Sequence, residues 1–593
     1  METCISSKYE NIKYKHEIIP GSPSIYRLIP KQSNIGSIRR LTLGERDSTK
    51  INKTILLVGE TGAGKSSLIN ALVNFALGVE FEDNVWFQMV QEKEKSQTES
   101  QTSDVIVYEV FGLEDRTLPF SLTIIDTPGY GDTKGIDKDV LVSERLLDLF
   151  RSTDGVHEID AVCLVLKASD NRLSDRLMYV FDSVVSLFGK DIEKNIVALI
   201  THSDFLTPTN VLQALKEAKI RCPKNQKDQP VHFMFNNAQK TEKNEDNEDH
   251  IEYIWNSTMK QIKKCAVFLK NTEPQNLDKT IEVLKSRIRL AACIHNLQER
   301  IQFIELKQRE IQQTQEGLKK HEQDMKNNED FTIEVDEVYK IKEPVEVRES
   351  WWRYLGLNNA GATCCDDCKE TCHFPCEVAS GPRKCDVMRN KCTICNKECS
   401  ISGHENELHC TSCTGKCHVL KHVKEQRCTE CEDECRDPSH PKTPWRYVTK
   451  TKRVTRTIHQ MKDMYEKSEK GSEEKASLLE TLQKIIEELQ KEKDQLLEES
   501  FQHVERLEEI AMKVVSLSTH VHLDVLIEKM KEKGDTEKAM KLEMMKSKME
   551  ENPRIRSVLS YMSTAIGKTA ASGKAVWDRL RGNTAEQKTG STL

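Results

Sequence analysis

The sequence predicts a mainly parallel α/β domain, followed by a long helical coiled-coil arm that carries a small cysteine-rich tip. Three observations support this. Short apolar runs alternate with amphipathic segments in the first half, two long stretches are rich in Glu, Lys and Gln, and most cysteines cluster between those stretches. Because the chain has 593 residues, one hydrophobic core is not enough, and three or four structural units are expected.

Composition and charge narrow the possible environments. The net charge of −7 is small for this length, so the total predicts neither nucleic-acid binding nor a general attraction to membranes. The N-terminal residues contain no apolar run, and no stretch has about 18 consecutive apolar residues, so neither an export signal nor a transmembrane helix is expected. These features favour a cytoplasmic, reducing location, in which cysteine clusters more often bind metal than form disulfides.

The α/β domain is expected over residues 53–275. Residues 1–52 are polar and irregular and are interpreted as a flexible N-terminal segment. Six apolar runs then follow, namely TILLVG, DVIVYEV, SLTIID, AVCLVL, NIVALIT and VHFMF. Such runs, separated by amphipathic segments, are typical of a buried, mainly parallel sheet with crossover helices.

A phosphate-binding loop is predicted directly after the first run. The stretch has the form G-x-x-x-x-G-K-S between a strand and a helix, which is the context that this motif requires. Its glycines let backbone N–H groups surround phosphates, Lys65 supplies a charge to the β- and γ-phosphates, and Ser66 gives its hydroxyl to Mg²⁺. The predicted contacts are Gly59, Glu60, Thr61, Gly62, Ala63, Gly64, Lys65, Ser66 and Ser67.

A second phosphate motif follows in IIDTPGYGD. Asp126 ends an apolar run, where it can hold Mg²⁺ through water, and Gly129 has the D-x-x-G spacing that senses a γ-phosphate. One threonine of the preceding polar loop is expected to close on Mg²⁺. Thr98 is slightly favoured over Thr102, and an ordinary linker is the alternative. Lys65, Thr98 and Gly129 are therefore the predicted catalytic residues.

Base recognition is expected where the run ALIT ends in Thr-His-Ser-Asp. Asp204 can accept hydrogen bonds from guanine, Thr201 stands where Asn is usual, and His202 offers a flat ring where a Lys stem would cover the base. Asn236 and Asn237 end the next run and are placed to line the other side of the base. Taken alone, Asp204 could be an ordinary polar residue at the end of a strand. Because it follows both phosphate motifs in the sequence, GTP is favoured over ATP as the ligand, and a P-loop GTPase domain is predicted.

These motifs, with LFGKDIEKNIVALITHSD and FNNA, resemble the GTPase of immunity-associated protein (GIMAP) family, and the phosphate loop and DTPGYGD also resemble septins. The resemblance covers about residues 53–270. It implies a GTP-binding α/β domain that pairs across its nucleotides and assembles near membranes. The resemblance also implies nucleotide-binding roles for Gly59, Gly64, Lys65, Ser66, Asp126, Gly129, His202, Asp204 and Asn236. The later SLSTHVHLDVLIEKM and the cysteine block resemble uncharacterised animal proteins that join such a GTPase to a coiled coil.

One departure bears on hydrolysis. Ras-like enzymes have glutamine after the D-x-x-G glycine to orient water, whereas this chain has Tyr130. Hydrolysis is therefore expected to be slow, or completed by a second subunit through Arg172 or Arg176. The predicted function is a GTP-binding regulatory protein whose nucleotide state controls self-association or partner binding. The alternative is a zinc and coiled-coil scaffold with GTP as a structural ligand.

The arm is predicted from two helical stretches and two strand-like segments. Residues 276–330 are expected to form a long helix, and residues 459–530 a coiled coil. The segments FTIEVDEVYKIKEPVEV and WRYVTKTKRVTRTI carry opposite charges and are expected to pair as a β-ribbon within a module spanning residues 331–458. Two unrelated solvated helices are the alternative.

The cysteine-rich tip is predicted to bind zinc. Fifteen of the 20 cysteines lie between Cys364 and Cys435, with four copies of C-x₂-C-x₃-C. Tetrahedral Zn²⁺ suits such thiolates, and metal would supply folding energy that the few apolar residues cannot. Disulfides and an iron–sulfur cluster are the alternatives. The predicted zinc ligands are Cys365, Cys368, Cys372, Cys376, Cys392, Cys395, Cys399, Cys410, Cys413, Cys417, Cys428, Cys431 and Cys435.

The tail, residues 531–593, is expected to be helical or disordered. Its later part is net basic with scattered apolar residues, so peripheral contact with an anionic membrane is one expectation. Docking on protein or disorder is the alternative. The expected partners are a second copy of the chain, through the G domain and the coiled coil, and other proteins at the cysteine-rich tip. No nucleic acid is expected.

Overall fold

The chain divides into two compact units. The computed structural model describes residues 7–90 except 10, 11, 13, 20 and 37, residues 104–111, 117–130, 137–170, 175–320, 332–344, 361–366, 369–376, 388–392, 401–402, 409–410, 424–428, 442–457, 460, 478–513 and 517–550. The first unit comprises Met1–Leu284, Leu507–His520 and Met544–Leu593, and the second comprises Lys285–Arg506 and Val521–Glu543.

The first unit is built around an eight-stranded sheet. Its strand order is β12-β11-β10-β5-β8-β7-β4-β3. Strands β12, β11, β10, β5 and β8 are parallel, β7 runs antiparallel to β8, β4 is parallel to β7, and β3 is antiparallel to β4. The strands of the unit are β1 (Tyr14–Ile19), β2 (Ser24–Leu28), β3 (Lys31–Ile35), β4 (Ile38–Leu43), β5 (Asn52–Gly59), β6 (Val85–Gln88), β7 (Ile106–Val110), β8 (Ser121–Asp126), β9 (Glu158–Ile159), β10 (Ala161–Lys167), β11 (Ile196–Thr201), β12 (His232–Met234) and β13 (Gln275–Asn276).

Helices follow most of the parallel strands, as the alternating pattern predicts. They are α1 (Lys65–Leu77), α2 (Asp137–Arg151), α3 (Asp175–Val185), α4 (Thr209–Glu217), α5 (Glu248–Asn271) and α6 (Asp278–Lys320), which begins in this unit. The central strands are apolar on both faces, and Leu57, Ile124, Val165 and Leu199 are buried in the core. This pattern of burial is the reason that these strands appear in the sequence as continuous apolar runs.

The N-terminal segment corrects one expectation. Residues 1–52 were expected to be flexible and irregular, but residues 14–43 form four strands, and β3 and β4 extend the central sheet. Strand β3 is exposed along most of its length, so it carries no apolar run that could identify it. Because backbone pairing with β4 holds this edge strand, its side chains are free to be polar. The α/β domain therefore begins well before residue 53.

The second unit contains a long β-ribbon. Strands β14 (Thr332–Pro344) and β22 (Trp445–Thr457) pair antiparallel along their whole length, as their opposite charges predict. Between them lie β15 (Gly361–Cys365), β16 (Glu370–Cys376), β17 (Met388–Cys392), β18 (Ile401–Ser402), β19 (His409–Cys410), β20 (Lys424–Cys428) and β21 (Lys442–Thr443). They pair as β16-β15-β21, β17-β20 and β18-β19.

Helices and ribbon share a small core in this unit. Ile311 and Leu318 of α6 pack with Ile333 and Val335 of β14, and Ile485 of the next helix lies against them. The later helices are α7 (Leu478–Ile510), α8 (Leu517–Lys533) and α9 (Thr536–Glu550). The predicted tail beyond residue 550 lies outside the described residues. Among the described helices, none has the length and apolarity needed to cross a membrane.

Candidate nucleotide-binding site

One edge of the central sheet brings the predicted site residues together. Strands β5, β8, β10, β11 and β12 are parallel neighbours, so their carboxyl ends lie at the same edge. These ends carry the phosphate loop after Gly59, the D-x-x-G segment after Asp126 and the base loop after Thr201. In open α/β sheets this edge is where ligands bind.

The phosphate loop has the backbone that its glycines permit. Gly62 and Gly64 have φ angles of 77° and 88°, in the left-handed region that favours glycine. A Cβ atom on Gly59 would lie 2.4 Å from the carbonyl oxygen of Val165, so only glycine allows β5 to pack this closely on β10. The loop then opens α1 at Lys65, and its geometry fits the binding of phosphate by backbone N–H groups.

Lys65 is buried beneath this loop. Its ammonium donates to the carbonyl oxygens of Gly59 at 3.0 Å and Glu60 at 3.1 Å. Burial lowers the pKa of Lys65 to about 8, although the negative charges of Asp126 and Glu60 oppose the shift. A desolvated ammonium of this kind gains much from an anionic ligand, because no bulk water screens the attraction.

The D-x-x-G segment lies directly against the phosphate loop. Asp126 is fully buried at the end of β8. A Cβ atom on Gly129 would lie 2.4–2.5 Å from Thr61, so a larger residue would separate the two segments. The N–H of Tyr130 donates to the carbonyl oxygen of Gly59 at 3.1 Å, and Tyr130 is only 1% exposed. The two predicted Mg²⁺-closing threonines, Thr98 and Thr102, lie outside the described residues.

The base loop is connected to the phosphate loop through Thr201. Its hydroxyl lies 2.7 Å from the carbonyl oxygen of Ala63 and 3.1 Å from that of Leu166. His202 follows with φ of 52°, and its Nδ1 lies 3.1 Å from the Thr201 hydroxyl. Asp204 is exposed, and its Oδ1 accepts the N–H of Leu206 at 2.9 Å, which fixes the direction of the carboxylate.

The two predicted asparagines occupy different environments. The side-chain amide of Asn236 donates to the carbonyl oxygen of Ser203 at 3.1 Å, so it holds the base loop from the neighbouring strand end. The amide oxygen and nitrogen of Asn237 are both buried and make no hydrogen bond within the described part of the chain. Since buried polar atoms normally have partners, Asn237 is the better placed of the two to bind a ligand.

The residues present fit a guanine nucleotide with Mg²⁺. The phosphate loop supplies N–H groups and the Lys65 ammonium, and the unsatisfied amide of Asn237 lies at the end of the next strand. Among the described residues, Ser66 and Asp126 are the ones that would hold Mg²⁺, which when bound neutralises charge on the phosphates. Lys65 and the backbone of Gly129 would orient the terminal phosphate.

Two residues at this edge were missed by sequence reasoning. Ser203 is a hub of the base loop, because its N–H donates to Phe235 and its hydroxyl accepts the N–H of Phe205, each at 3.0 Å. Lys167 ends β10 between the phosphate and base loops. No motif spacing marks Lys167, since sheet register rather than sequence distance brings it to the site. Of the proposed arginines, Arg172 is outside the described residues, and of Arg176 only its place in α3 is described.

The predicted zinc ligands are only partly visible. Cys365 is buried in β15, and Cys372, Cys376, Cys392, Cys410 and Cys428 lie in strands of the same block. The remaining predicted ligands, Cys368, Cys395, Cys399, Cys413, Cys417, Cys431 and Cys435, lie outside the described residues. Among the side chains that are described, no group of three or more could hold a metal ion.

Comparisons with known proteins agree with the geometry of the first unit. Residues 53–265 match the AIG1 family. The chain is 26% identical over 164 residues to GTP-binding protein A of Dictyostelium discoideum, which covers 28% of this chain and 31% of that protein. It is 28% identical over 177 residues to human Septin-5, which covers 28% and 43%. The chain thus spans about a third to two fifths of the length of these relatives.

Solved structures include similar chains at low identity. Toc33 from Arabidopsis thaliana, in complex with GDP and Mg²⁺, is 17% identical with a TM-score of 0.28, covering 38% of this chain and 88% of that one. The G domain is therefore assigned from the motifs, the sheet edge and the sequence matches. The first unit therefore carries a P-loop G domain that is similar to those of the AIG1 (GIMAP-type) family and of the septins.

Proposed function

We propose that this chain is a GTP-binding regulatory protein that hydrolyses GTP slowly when alone and faster when it self-associates. One observation carries the proposal. The phosphate loop, the D-x-x-G segment and the base loop meet at one sheet edge, while Tyr130 occupies the position of the usual water-orienting glutamine and is buried. The nucleotide state would then control self-association or the binding of a partner.

The surroundings of Tyr130 support slow intrinsic hydrolysis. Its N–H is held by the carbonyl oxygen of Gly59, and its side chain is 1% exposed, so it cannot reach a water beside a terminal phosphate without movement of the segment. A missing transition-state group costs about 10³–10⁵ in rate for GTPases. A second subunit that supplies such a group would restore the rate.

Self-association is proposed through both parts of the molecule. The G domain would pair near its nucleotide site, and α6 and α7 would form a coiled coil that raises the local concentration of one G domain near another. Within one chain, Ile311 and Leu318 of α6 pack with the ribbon and with Ile485 of α7, and the pairing of this helical arm with that of a second copy is proposed from the apolar spacing of the sequence.

Phosphate release at several enzyme concentrations, under saturating GTP, tests this function. Specific activity per subunit should rise with concentration and reach a plateau as light scattering shows dimers forming. Constant specific activity across that range would contradict hydrolysis in trans. Absence of GTP binding would reject the function as a whole, and binding without turnover would favour a scaffold in which GTP is a structural ligand.

We further propose that the cysteine block is a structural zinc module that binds protein partners. Support comes from its repeated C-x₂-C-x₃-C pattern and the four short pairs of strands around it. Its few large apolar residues would otherwise give little folding energy. The full-length protein should carry about three or four zinc ions by elemental analysis.

A pair of variants tests the zinc proposal. Replacing Cys392 and Cys395 with Ser should lower the zinc content of the full chain by one ion, whereas Cys222→Ser should not change it. Cys222 is a free, half-buried cysteine of the first unit and therefore serves as a matched control. A zinc-free protein with disulfides in residues 364–435 would reject the proposal. We also propose a cytoplasmic location, with membrane contact restricted to the basic tail.

A further inference from the structure

The base loop lacks the lysine that guanine-reading loops usually carry, and a neighbouring strand offers a replacement. Lys167 is the last residue of β10 and the parallel register partner of Thr201. Because β10 lies between β11 and β5 in the sheet, Lys167 ends between the base loop and the phosphate loop. Its position follows from the register of the sheet.

The side chain of Lys167 extends over the phosphate loop at Gly62. Its Nζ lies 3.7 Å from the place that a Cβ atom would take on Gly62. The backbone beneath it is fixed, because the Lys167 N–H donates to Oδ2 of Asp170 at 3.0 Å and the Asp170 N–H returns to the carbonyl oxygen of Lys167 at 3.0 Å. Lys167 is half-buried and makes no ion pair within the described part of the chain.

Lys167 also contributes to the lowered pKa of the neighbouring His202. The exposed ring of His202 has a lowered pKa, first because it is partly desolvated against the loop and then because of the positive charge of Lys167, while Asp170 opposes the shift. The lowered pKa therefore favours the uncharged form of the ring. In the usual motif one lysine supplies both a surface that covers the base and a positive charge. In this chain His202 would supply the flat surface and Lys167 the positive charge.

We propose that Lys167 is a nucleotide-binding residue that supplies, from the end of β10, the positive charge that the base loop lacks. The Lys167 ammonium would bind the guanine nucleotide beside Gly62, and the His202 ring would form a flat surface next to the ammonium. The proposal rests on the proposed GTP-binding function and adds a residue to the same site. Electrostatic attraction is stronger at such a half-buried position than in bulk water, because the protein excludes part of the screening solvent.

Nucleotide affinity in three variants of the full-length protein tests this role. Lys167→Met should weaken the binding of both GDP and GTP about 10- to 100-fold, mainly through faster dissociation, as expected for a lost hydrogen bond to a charged group. Lys167→Arg should stay within a few-fold of wild type. Lys194→Met is the matched control, since Lys194 is exposed in the same domain, and it should not change affinity.

A second measurement separates binding from a structural role. The pKa of His202, followed by NMR in the absence of nucleotide, should rise in Lys167→Met, and the melting temperature should stay near that of wild type. If the Met variant fails to fold, Lys167→Gln replaces it in both measurements. Wild-type affinity in the folded variant would overturn the role of Lys167 while leaving GTP binding intact. No GTP binding by wild type would reject the proposed function itself.

Discussion

At the scale of single residues, the carboxyl edge of the central sheet has two kinds of polar side chain. Some connect the loops to one another, and others are exposed and can bind the nucleotide. Thr201 connects the base loop to the carbonyl oxygen of Ala63 at 2.7 Å, and Asn236 connects the next strand to Ser203 at 3.1 Å. Asp204 is exposed beyond these connections. Substitutions at these positions should therefore differ in whether the identity of the base matters.

Asp204→Asn should exchange one base preference for another. An amide cannot accept both hydrogen bonds from guanine, so GTP affinity should fall by roughly 10- to 100-fold, whereas affinity for xanthosine triphosphate should rise. Titration of both nucleotides against wild type and variant measures the change. Asp228→Asn is the control, since Asp228 is an exposed carboxylate of the same unit. Unchanged GTP affinity in Asp204→Asn would show that Asp204 does not read the base.

Thr201→Val should weaken the binding of GTP and of xanthosine triphosphate by the same factor. The substitution keeps the volume but leaves the buried carbonyl oxygen of Ala63 without its hydroxyl partner, which costs about 1–3 kcal/mol. Melting without nucleotide should show the same loss of stability, because the contact exists within the fold. Thr207→Val removes an exposed hydroxyl from the same loop and should change neither measurement. A base-selective effect of Thr201→Val would contradict a purely connecting role.

The sequence predicts residues of this edge unequally. Lys65, Asp126 and Asp204 are identified by motifs with fixed spacing, and the structure brings these motifs to one edge of the sheet. Lys167 and Ser203 act through register and backbone contacts, which leave no spacing rule in the sequence. Physical adjacency across a sheet is a property of pairing, so a single sequence does not show it.

At the scale of elements, the clearest contrast is between the two kinds of polar strand. The β14–β22 ribbon is predicted because Glu337 and Arg456 belong to oppositely charged segments, and these two residues form an ion pair at 2.6 Å. Strands β1 to β4 were all missed, and the reason is clearest for β3, an exposed edge strand without complementary charge in the sequence. The alternating opposite charges in the sequence therefore predict the β14–β22 ribbon. The hydrophobic pattern does not predict the edge strand β3, because its side chains are mostly polar and exposed.

Glu337→Lys should loosen the ribbon, and Arg456→Glu in the same chain should partly restore it. Glu337 accepts a hydrogen bond from Arg456 at 2.6 Å and forms an ion pair with Lys452 at 3.1 Å. Each partly exposed pair contributes about 0.2–1 kcal/mol, so a repulsive replacement should speed hydrogen exchange of β14 amides a few-fold. The double variant is the control for the pairing. Exchange that is unchanged in the single variant would show that the backbone alone holds the ribbon.

The same pair should weaken in acid. Desolvation raises the pKa of Glu337, but the hydrogen bonds from Lys452 and Arg456 outweigh it and lower the pKa below its ordinary value of 4.5. The charged pair therefore stabilises the ribbon above pH 4.5, and its contribution is lost as the pH falls through the lowered pKa. As the pH falls below the lowered pKa of Glu337, wild type and Glu337→Gln should converge in ribbon stability. A difference that persists there would contradict the assignment.

At the scale of the whole molecule, the chain leaves the first unit and returns to it. Helix α6 begins there at Asp278, and residues 507–520, which include the end of α7, belong to the same unit again. Lys190 donates to the carbonyl oxygens of Glu508 and Glu509, each at 2.9 Å. The sequence did not predict this return, because it depends on backbone carbonyls rather than on a motif.

The returning segment is anchored at three further points of the G domain. The N–H of Met512 donates to the carbonyl oxygen of Phe188 at 3.0 Å, Gly189 and Ala511 form an antiparallel bridge, and Lys513 pairs with the buried carboxylate of Asp182. Burial of Lys513 also lowers its pKa to about 8. A charge that stabilises helix C-terminal carbonyls, as Lys190 does, contributes about 0.3–1 kcal/mol, and more where water is partly excluded.

Lys190→Met should therefore release the end of α7 without affecting the nucleotide site. Because both carbonyl contacts are exposed, their removal should raise local opening of residues 507–513 about 2- to 5-fold, equal to about 0.3–1 kcal/mol. Hydrogen exchange of peptides that cover these residues measures the opening, and GTP affinity should stay at the wild-type value. Lys224→Met, an exposed lysine of the same unit paired with Asp228 at 2.7 Å, is the control. If Lys190→Met left the exchange of residues 507–513 unchanged, the bridge at Gly189 and the Lys513–Asp182 pair would be sufficient to hold the segment. If the variant lowered GTP affinity instead, the returning segment would be coupled to the nucleotide site, with α3, which carries Asp182, as the connecting element.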